Sequence, residues 1–153
     1  MLMKKIFAAA ALAAALVLTG YAQNAGHAGQ LENGDLFIPL EEVSETAVFY
    51  PVTIDGVYIE VFAVKAPDGS VRTAFNTCQV CYKSGKGYYV QDGAFMVCQK
   101  CGNRFSTGDI EITHGGCNPV PITTEDKTID EHGITVPKDF MATVKHMFAV
   151  WKK

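Results

Sequence analysis

The stretch that decides the fold is AVFYPVTIDGVYIEVFAVKAPDGSVRTAFNTCQVC, residues 47–81. Asp55-Gly56 separates two runs of β-branched and aromatic residues, which is the strongest short-range signal for a β-hairpin. The sequence PDGS at residues 67–70 predicts a second turn, because proline presets φ and glycine accepts a positive φ. The stretch therefore predicts three consecutive antiparallel strands, the last of which runs directly into Cys78.

The same pattern continues after this stretch. Asp92-Gly93 predicts a third turn, between strand-like runs at residues 86–91 and 94–98. Short strands separated by such turns are typical of a β-meander that closes into a small barrel or sandwich. We therefore predict a mostly β fold of this kind, with cysteine-bearing turns like those of zinc ribbons.

The last segment, PKDFMATVKHMFAVWKK at residues 137–153, predicts a short C-terminal helix. Its large apolar residues recur at near-helical spacing. They are Phe140, Val144, Met147, Phe148 and Trp151. Pro137 at the beginning and Lys152-Lys153 at the end suit the polarity of a helix. We expect this helix to pack on the barrel.

The N-terminal segment has the composition of a secretory signal peptide. Lys4 and Lys5 precede an apolar run, residues 6–18, that is shorter than the ~20 residues that a bilayer span needs. Tyr21 occupies the place that a lipidated cysteine holds in bacterial lipoprotein signals. We predict a signal peptide, or alternatively an N-terminal anchor, at residues 1–22. The protein is then exported to the periplasm or cell surface, and it is membrane-associated if the segment is retained.

The remainder divides into a short linker and one domain. Residues 23–35 are rich in Gly, Asn and Ala without apolar periodicity, which is typical of a linker. Residues 36–153 are interpreted as one cysteine-rich, metal-binding β domain. The formal net charge is −3 and no basic cluster is present, so we expect no nucleic-acid partner. No paired carboxylates, Ser–His–Asp arrangement or phosphate loop is present, which favours a protein that is not an enzyme.

Four of the five cysteines form two Cys-x-x-Cys pairs at predicted strand ends. Cys78 and Cys81 follow one strand, Cys98 and Cys101 follow another, and 16 residues separate the pairs. This separation falls within the range of four-cysteine zinc sites. Two such turns that face each other offer four thiolates at tetrahedral geometry. The spacing therefore predicts one metal centre with Cys78, Cys81, Cys98 and Cys101 as its ligands.

Cys117, in the sequence THGGCNP, is the fifth cysteine and a further candidate for the cofactor site. It could replace one of the four ligands, act as an exposed thiol, or hold a second metal together with His114. The alternative is a buried cysteine that behaves as a small apolar residue. Tyr88, Tyr89 and Phe95 lie close to the cysteines in sequence, and we expect them to shield the site.

Two other interpretations of the cysteines stay open at this point. Exported proteins commonly contain disulfides, and two disulfides would leave one of the five thiols free. A Cys-x-x-Cys pair is also the motif of a redox dithiol with a lowered thiol pKa. No thioredoxin-like βαβ pattern surrounds either pair, which favours a metal over a redox enzyme.

These motifs resemble those of a known family. The segments FYPVTIDGVYIEVFAVKAPDGSVRTAFNTCQVC, MVCQKCGNRF and GGCNPVPI are similar to the FtrD-like membrane iron–sulfur domain family. All five cysteines and Asn118-Pro119 fall in the expected order, and the resemblance covers roughly residues 36–150. It implies a cysteine-bound metal or iron–sulfur centre that serves iron uptake or electron delivery. It also implies a membrane iron permease or a redox protein as partner.

The residues leave the identity of the metal open between iron, as an ion or a cluster, and zinc. Ferredoxin-type clusters use closely spaced cysteine triplets, whereas two separate pairs suit a single zinc or rubredoxin-like iron ion. The signal has no twin arginine, so the chain is expected to cross the membrane unfolded and to acquire its metal afterwards. We expect an accessory protein for extracytoplasmic iron handling or electron transfer. The alternatives are a thiol–disulfide oxidoreductase and a zinc-stabilised binding module for a membrane permease.

Overall fold

The computed structural model describes residues 29–31 and 33–153, so the predicted signal peptide at residues 1–22 lies outside the described residues. The described chain is mostly β, as predicted, and it has one short C-terminal α-helix. The strands are β1 (Gly29–Gln30), β2 (Leu36–Pro39), β3 (Val48–Ile54), β4 (Val57–Lys65), β5 (Val71–Cys78), β6 (Tyr89–Asp92), β7 (Phe95–Cys98), β8 (Arg104–Ser106), β9 (Pro119–Pro121), β10 (Thr128–Ile129) and β11 (Gly133–Val136), and the helix is α1 (Lys138–Val144).

Among the described residues, the strand pairs are antiparallel and belong to three sheets. The first sheet has the order β1-β2-β11-β10, so the first two described strands share a sheet with the last two. The second has the order β3-β4-β5-β9, so its first three strands form the predicted meander. The third, β6-β7-β8, is a smaller meander. The two cysteine pairs therefore follow strands of different sheets.

The β3–β4 hairpin confirms the turn predicted at Asp55-Gly56. Ile54 pairs with Val57, and Asp55 and Gly56 have φ angles of 49° and 78°. Two consecutive residues with positive φ are typical of a type I′ turn, whose twist matches that of the flanking strands. This turn sets the register of β3 against β4.

The β6–β7 hairpin also forms, with its turn one residue later than predicted. Asp92 pairs with Phe95, so Gly93 and Ala94 make the turn instead of Asp92 and Gly93. From this turn, β7 runs to its last residue, Cys98. The hairpin therefore places the second cysteine pair at the end of the central strand of the third sheet.

Strand β4 is buried on both faces, and each face contributes to a different hydrophobic cluster. Ile59 and Val61 belong to the main core, which includes residues of the first two sheets and of α1. Phe62 belongs to a second cluster, which contains Cys78 and Cys98. Successive residues of a strand point to opposite faces, so β4 connects the core with the cysteine cluster.

The C-terminal segment packs on the main core. Helix α1 is followed by a 3-10 turn at Lys145–Phe148. The residues of this segment that enter the core are Met141, Val144, Met147 and Phe148. The predicted short C-terminal helix is therefore confirmed.

Trp151 contacts β5 and thereby holds the C-terminal segment against this strand. Its Nε1 donates a hydrogen bond to the backbone oxygen of Asn76 at 2.7 Å, and its ring stacks on Tyr58 with centroids 5.1 Å apart. Trp151→Phe keeps an aromatic ring but removes this donor, so we expect the free energy of unfolding to fall by about 1–3 kcal/mol. Urea denaturation followed by circular dichroism measures it. Val150→Ala, at an exposed neighbouring position, is the control. An unchanged free energy in Trp151→Phe would contradict this role.

Candidate metal centre

Each Cys-x-x-Cys pair begins at the last residue of a strand. β5 ends at Cys78 and β7 ends at Cys98, and these residues are 0% and 1% exposed. After Cys78 the chain turns at once, so that the amide of Cys81 donates a hydrogen bond to the Cys78 sulfur at 3.3 Å. Hydrogen bonds from amides stabilise the charged form of a thiol. The predicted location of the cysteine turns at strand ends is therefore confirmed.

The first cysteine turn is fixed by the residues that follow it. The amide of Cys78 donates to the carbonyl of Gly87 at 2.7 Å. The amide and hydroxyl of Ser84 donate to the carbonyl of Cys81 at 3.0 and 2.7 Å. A Cβ atom at Gly87 would lie 2.6 Å from the carbonyl carbon and oxygen of Cys81. The position of Cys81 therefore depends on a glycine at residue 87.

Gly87→Ala is expected to displace the first cysteine turn. The added methyl group would overlap backbone atoms that cannot rotate away, so we expect a loss of about 1–3 kcal/mol in the free energy of unfolding. Metal affinity should fall as well. Gly108→Ala is the matched control, because its nearest atoms would lie 3.5 Å or more from the added Cβ. Urea denaturation and metal titration compare the two variants, and equal results would contradict the prediction.

Cys117 lies in a loop next to the site. This loop is attached to both cysteine turns by hydrogen bonds. The glycines at residues 115–116 have φ angles of 87° and 78°, which lets the chain reverse directly before Cys117. Asn103 Nδ2 donates to the carbonyl of Cys117 at 2.7 Å. The amide of Gln79 donates to the carbonyl of Asn118 at 3.3 Å. These contacts hold Cys117 between the two turns.

The sulfurs of the five cysteines converge. The Sγ atoms of Cys78, Cys81, Cys98 and Cys117 all lie within 4.8 Å of one another. From Cys117 Sγ the distances are 3.1 Å to Cys78, 3.9 Å to Cys81 and 2.8 Å to Cys101. Metal–sulfur bonds of ~2.3 Å place the sulfurs of a tetrahedral site ~3.8 Å apart. The group of four therefore has the size of the coordination shell of one ion.

This group differs from the predicted ligands in one member. Cys117 stands in place of Cys101, whose sulfur lies beside it but whose side chain is exposed. His114 is exposed in the loop and is outside the group. The sequence signal for Cys117 is the glycine pair before it, which lets the backbone approach the turns. The ligand set remains a prediction, with five cysteines as candidates.

Tyr89 and Met96 cover the buried side of the sulfurs. Tyr89 is 1% exposed and its hydroxyl oxygen lies 3.9 Å from Cys117 Sγ, while Met96 is fully buried in the same hydrophobic cluster. Phe95, which we expected to shield the site, is 38% exposed, and Tyr88 packs against the C-terminal segment. Residues alternate between the faces of β7, so Met96 takes the position expected for Phe95. This alternation could have identified Met96 from the sequence.

Burial and mutual contact raise the pKa of three of the thiols. Burial raises the pKa of Cys117, and hydrogen bonds with Cys101 and Cys78 add to the effect. Burial also raises the pKa of Cys98. Burial, together with a hydrogen bond to Cys101, raises the pKa of Cys81 to about 12. A metal cation held by these thiols would supply the positive charge that favours their ionisation at neutral pH.

The other two thiols ionise more readily. Burial opposes the ionisation of Cys78, but hydrogen bonds from the Tyr89 hydroxyl, the Cys117 thiol and backbone amides outweigh it and lower the pKa. The hydrogen bond from the Cys117 thiol lowers the pKa of the exposed Cys101 to about 7. Closely packed thiols, two of which have a lowered pKa, are soft ligands for a cation. The donor set therefore fits a metal that binds sulfur, such as iron or zinc.

Within the part of the chain that the structure describes, no helix is long and apolar enough to cross a bilayer. No curated protein and no solved structure shows a significant match to this chain. The family described as "Membrane iron-sulfur containing protein FtrD-like" matches residues 43–148, which is more than half of the chain and includes all five cysteines. The chain therefore belongs to the FtrD-like family of membrane iron–sulfur containing proteins.

Proposed function

We propose that this chain binds one iron ion through cysteine thiolates and acts in extracytoplasmic iron handling, delivering electrons to a membrane iron transporter. The observation that carries the proposal is the group of four sulfurs within 4.8 Å of one another. The family description supports iron as the metal. The signal-like composition of residues 1–22 supports export.

The size of the sulfur group favours a single ion over a cluster. In an iron–sulfur cluster the four cysteines are shared among two or four irons that inorganic sulfide bridges, so thiolates on different irons stand further apart than thiolates on one ion. On one tetrahedral ion the sulfurs are ~3.8 Å apart. Cys117 Sγ lies 3.1 Å from Cys78 Sγ and 3.9 Å from Cys81 Sγ, which suits the single ion. We therefore propose a rubredoxin-like site.

The distribution of exposure suits electron transfer. Cys78 and Cys98 are buried, Cys81 and Cys117 are partly buried, and Cys101 is exposed. Iron held by thiolates supplies a one-electron couple. The buried side excludes water from the sulfurs, and the exposed side lets a partner approach them. An ion that only stabilised the fold would need no such opening.

The test is the metal content and absorption spectrum of the full chain, purified without oxygen. We expect one iron per chain, with thiolate-to-iron absorption bands that disappear on reduction and return on oxidation. The variant Cys98→Ser, prepared in the same way, should lack the iron and its bands. Gly108→Ala should match the unmodified chain, because its added methyl group meets only ordinary contacts.

Other results would support the alternative functions. One colourless zinc ion per chain would contradict electron transfer and support a zinc-stabilised binding module for a membrane permease. A metal-free chain with two disulfides would contradict metal binding altogether. A metal-free chain in which one Cys-x-x-Cys pair exchanges rapidly with small disulfides would support a thiol–disulfide oxidoreductase.

A further inference from the structure

We propose that Cys101 and Cys117 form an oxidisable dithiol within this site, and that the disulfide between them releases the bound ion. The reaction is a thiol–disulfide exchange, and its oxidant is a low-molecular-weight disulfide. The release of an ion rests on the proposed function, whereas the formation of this disulfide does not. The site then responds to the redox state of its surroundings as well as binding a metal.

The first observation is the number of sulfurs. A tetrahedral ion takes four thiolates, and five cysteines converge here. Three of them belong both to the ligand set predicted from spacing and to the group of four in the structure; they are Cys78, Cys81 and Cys98. Cys101 and Cys117 therefore compete for the fourth position, and one of them is always in excess.

The second observation is that the two competitors are in contact. Their sulfurs are 2.8 Å apart, the shortest of the three separations measured from Cys117 Sγ. A disulfide bond is ~2.05 Å long, so the sulfurs need to approach by roughly 0.8 Å. Asn103, two residues after Cys101, holds the carbonyl of Cys117 at 2.7 Å. The glycines at residues 115–116 have open space around them, which permits the adjustment.

The third observation is the difference in exposure among the cysteines. Cys101 is exposed, whereas Cys78 and Cys98 are buried. A small oxidant reaches the exposed thiol first, because exchange requires access to the attacking sulfur. Cys101 is therefore the thiol that attacks the oxidant, and Cys117, which is in contact with it, is the resolving thiol.

The exchange balances in electrons and atoms. Cys101 Sγ attacks one sulfur of the oxidant, forms a mixed disulfide and displaces the first small thiolate. Cys117 Sγ then attacks Cys101 Sγ, forms the intramolecular S–S bond and displaces the second small thiolate. The protein loses two electrons to the oxidant, whose S–S bond is broken, and thiol protons released by the protein pass to the small thiolates. Only Cys78, Cys81 and Cys98 then remain for the ion.

The test uses the full chain, loaded with iron without oxygen and then treated with oxidised glutathione. Released iron is measured with a coloured chelator, and disulfides are located by mass spectrometry of proteolytic peptides. We expect the loss of iron together with two thiols, and a peptide that links Cys101 to Cys117. A disulfide within either Cys-x-x-Cys pair, formed in place of this link, would overturn the proposal.

Two variants separate the dithiol from general oxidation. Cys101→Ser and Cys117→Ser each lack one partner of this disulfide, so neither can form the link, and the iron that either variant binds is expected to stay bound in the presence of oxidised glutathione. Release from Cys101→Ser at the rate of the unmodified chain would overturn the proposal. For a variant that binds no iron, the disulfide map of the unmodified chain decides, because an obligatory ligand that enters this disulfide also releases the ion.

If the unmodified chain binds no metal, the proposed function fails and the disulfide map alone decides this inference. The metal-free chain is then oxidised in the same way. A link between Cys101 and Cys117 as the first disulfide supports the dithiol, and any other first disulfide overturns it.

Discussion

Replacement of Cys98 by serine is expected to abolish tight binding of the ion and to remove the stability that the ion contributes. Cys98 is 1% exposed and belongs to the group of four sulfurs. A serine hydroxyl is a poor ligand for an ion that prefers thiolates. For an ion present at ~1,000 times its Kd, the loss is ~4 kcal/mol in the free energy of unfolding. Metal analysis and urea denaturation without oxygen measure both effects.

Cys101→Ser is the matched control for this experiment. It makes the same chemical change at an exposed sulfur, and Cys117 remains to complete the set. The unmodified chain treated with a strong chelator should unfold at the same urea concentration as Cys98→Ser. If Cys98→Ser keeps the stability of the loaded chain and loses only thiol exchange, the cysteines belong to an oxidoreductase instead.

Lys127→Met is expected to lower the free energy of unfolding by about 3–5 kcal/mol. Lys127 Nζ lies 2.6 Å from Glu111 Oε1, and the two side chains are 1% and 6% exposed. The same carboxylate oxygen accepts hydrogen bonds from the amide and hydroxyl of Thr73, at 2.6 and 3.0 Å. Loss of the ammonium group leaves a buried carboxylate without its cation. Urea denaturation measures the effect.

The double variant Lys127→Met/Glu111→Gln should regain much of this stability, because a neutral amide oxygen still accepts the hydrogen bonds of Thr73. Lys145→Met is the control for the loss of a lysine, since Lys145 pairs with Asp55 at 2.8 Å on the surface, where screening weakens the pair. If Lys127→Met unfolds at the same urea concentration as Lys145→Met, the buried pair does not stabilise the fold.

The buried pair also bears on the metal site. Glu111 lies in the connection that leads to Cys117, and its φ of 69° is unusual for a residue with a side chain. Its contacts hold this connection against Thr73 of β5, the strand that ends at Cys78. We therefore expect Lys127→Met to weaken metal binding together with stability.

The hairpins and the strand-end cysteines follow from local sequence. The Asp55-Gly56 turn is determined by the two residues within it, because few residues accept positive φ. Cys78 and Cys98 are the last residues of β5 and β7. Their positions in the fold can therefore be predicted once these two strands are predicted. The spacing of the two cysteine turns predicts their convergence without any knowledge of the sheets.

The place of Cys117 could not be derived in this way. It depends on the pairing of β9 with β5, which sets Pro119 opposite Cys78 across a long separation in sequence. The pairing of strands that are distant in sequence depends on the burial of whole faces of the sheet and not on short sequence motifs. The Glu111–Lys127 pair that holds the preceding segment is equally non-local, and both residues occur among scattered charges in the sequence.

X-ray absorption at the metal edge, on the full chain purified without oxygen, tests the central claim of one ion held by cysteine sulfurs most directly. We predict a single shell of sulfur neighbours at about 2.3 Å from the metal, with no second metal nearby. A metal–metal shell would show a cluster and contradict the single ion. A shell of nitrogen and oxygen neighbours would show that the cysteines do not hold the metal.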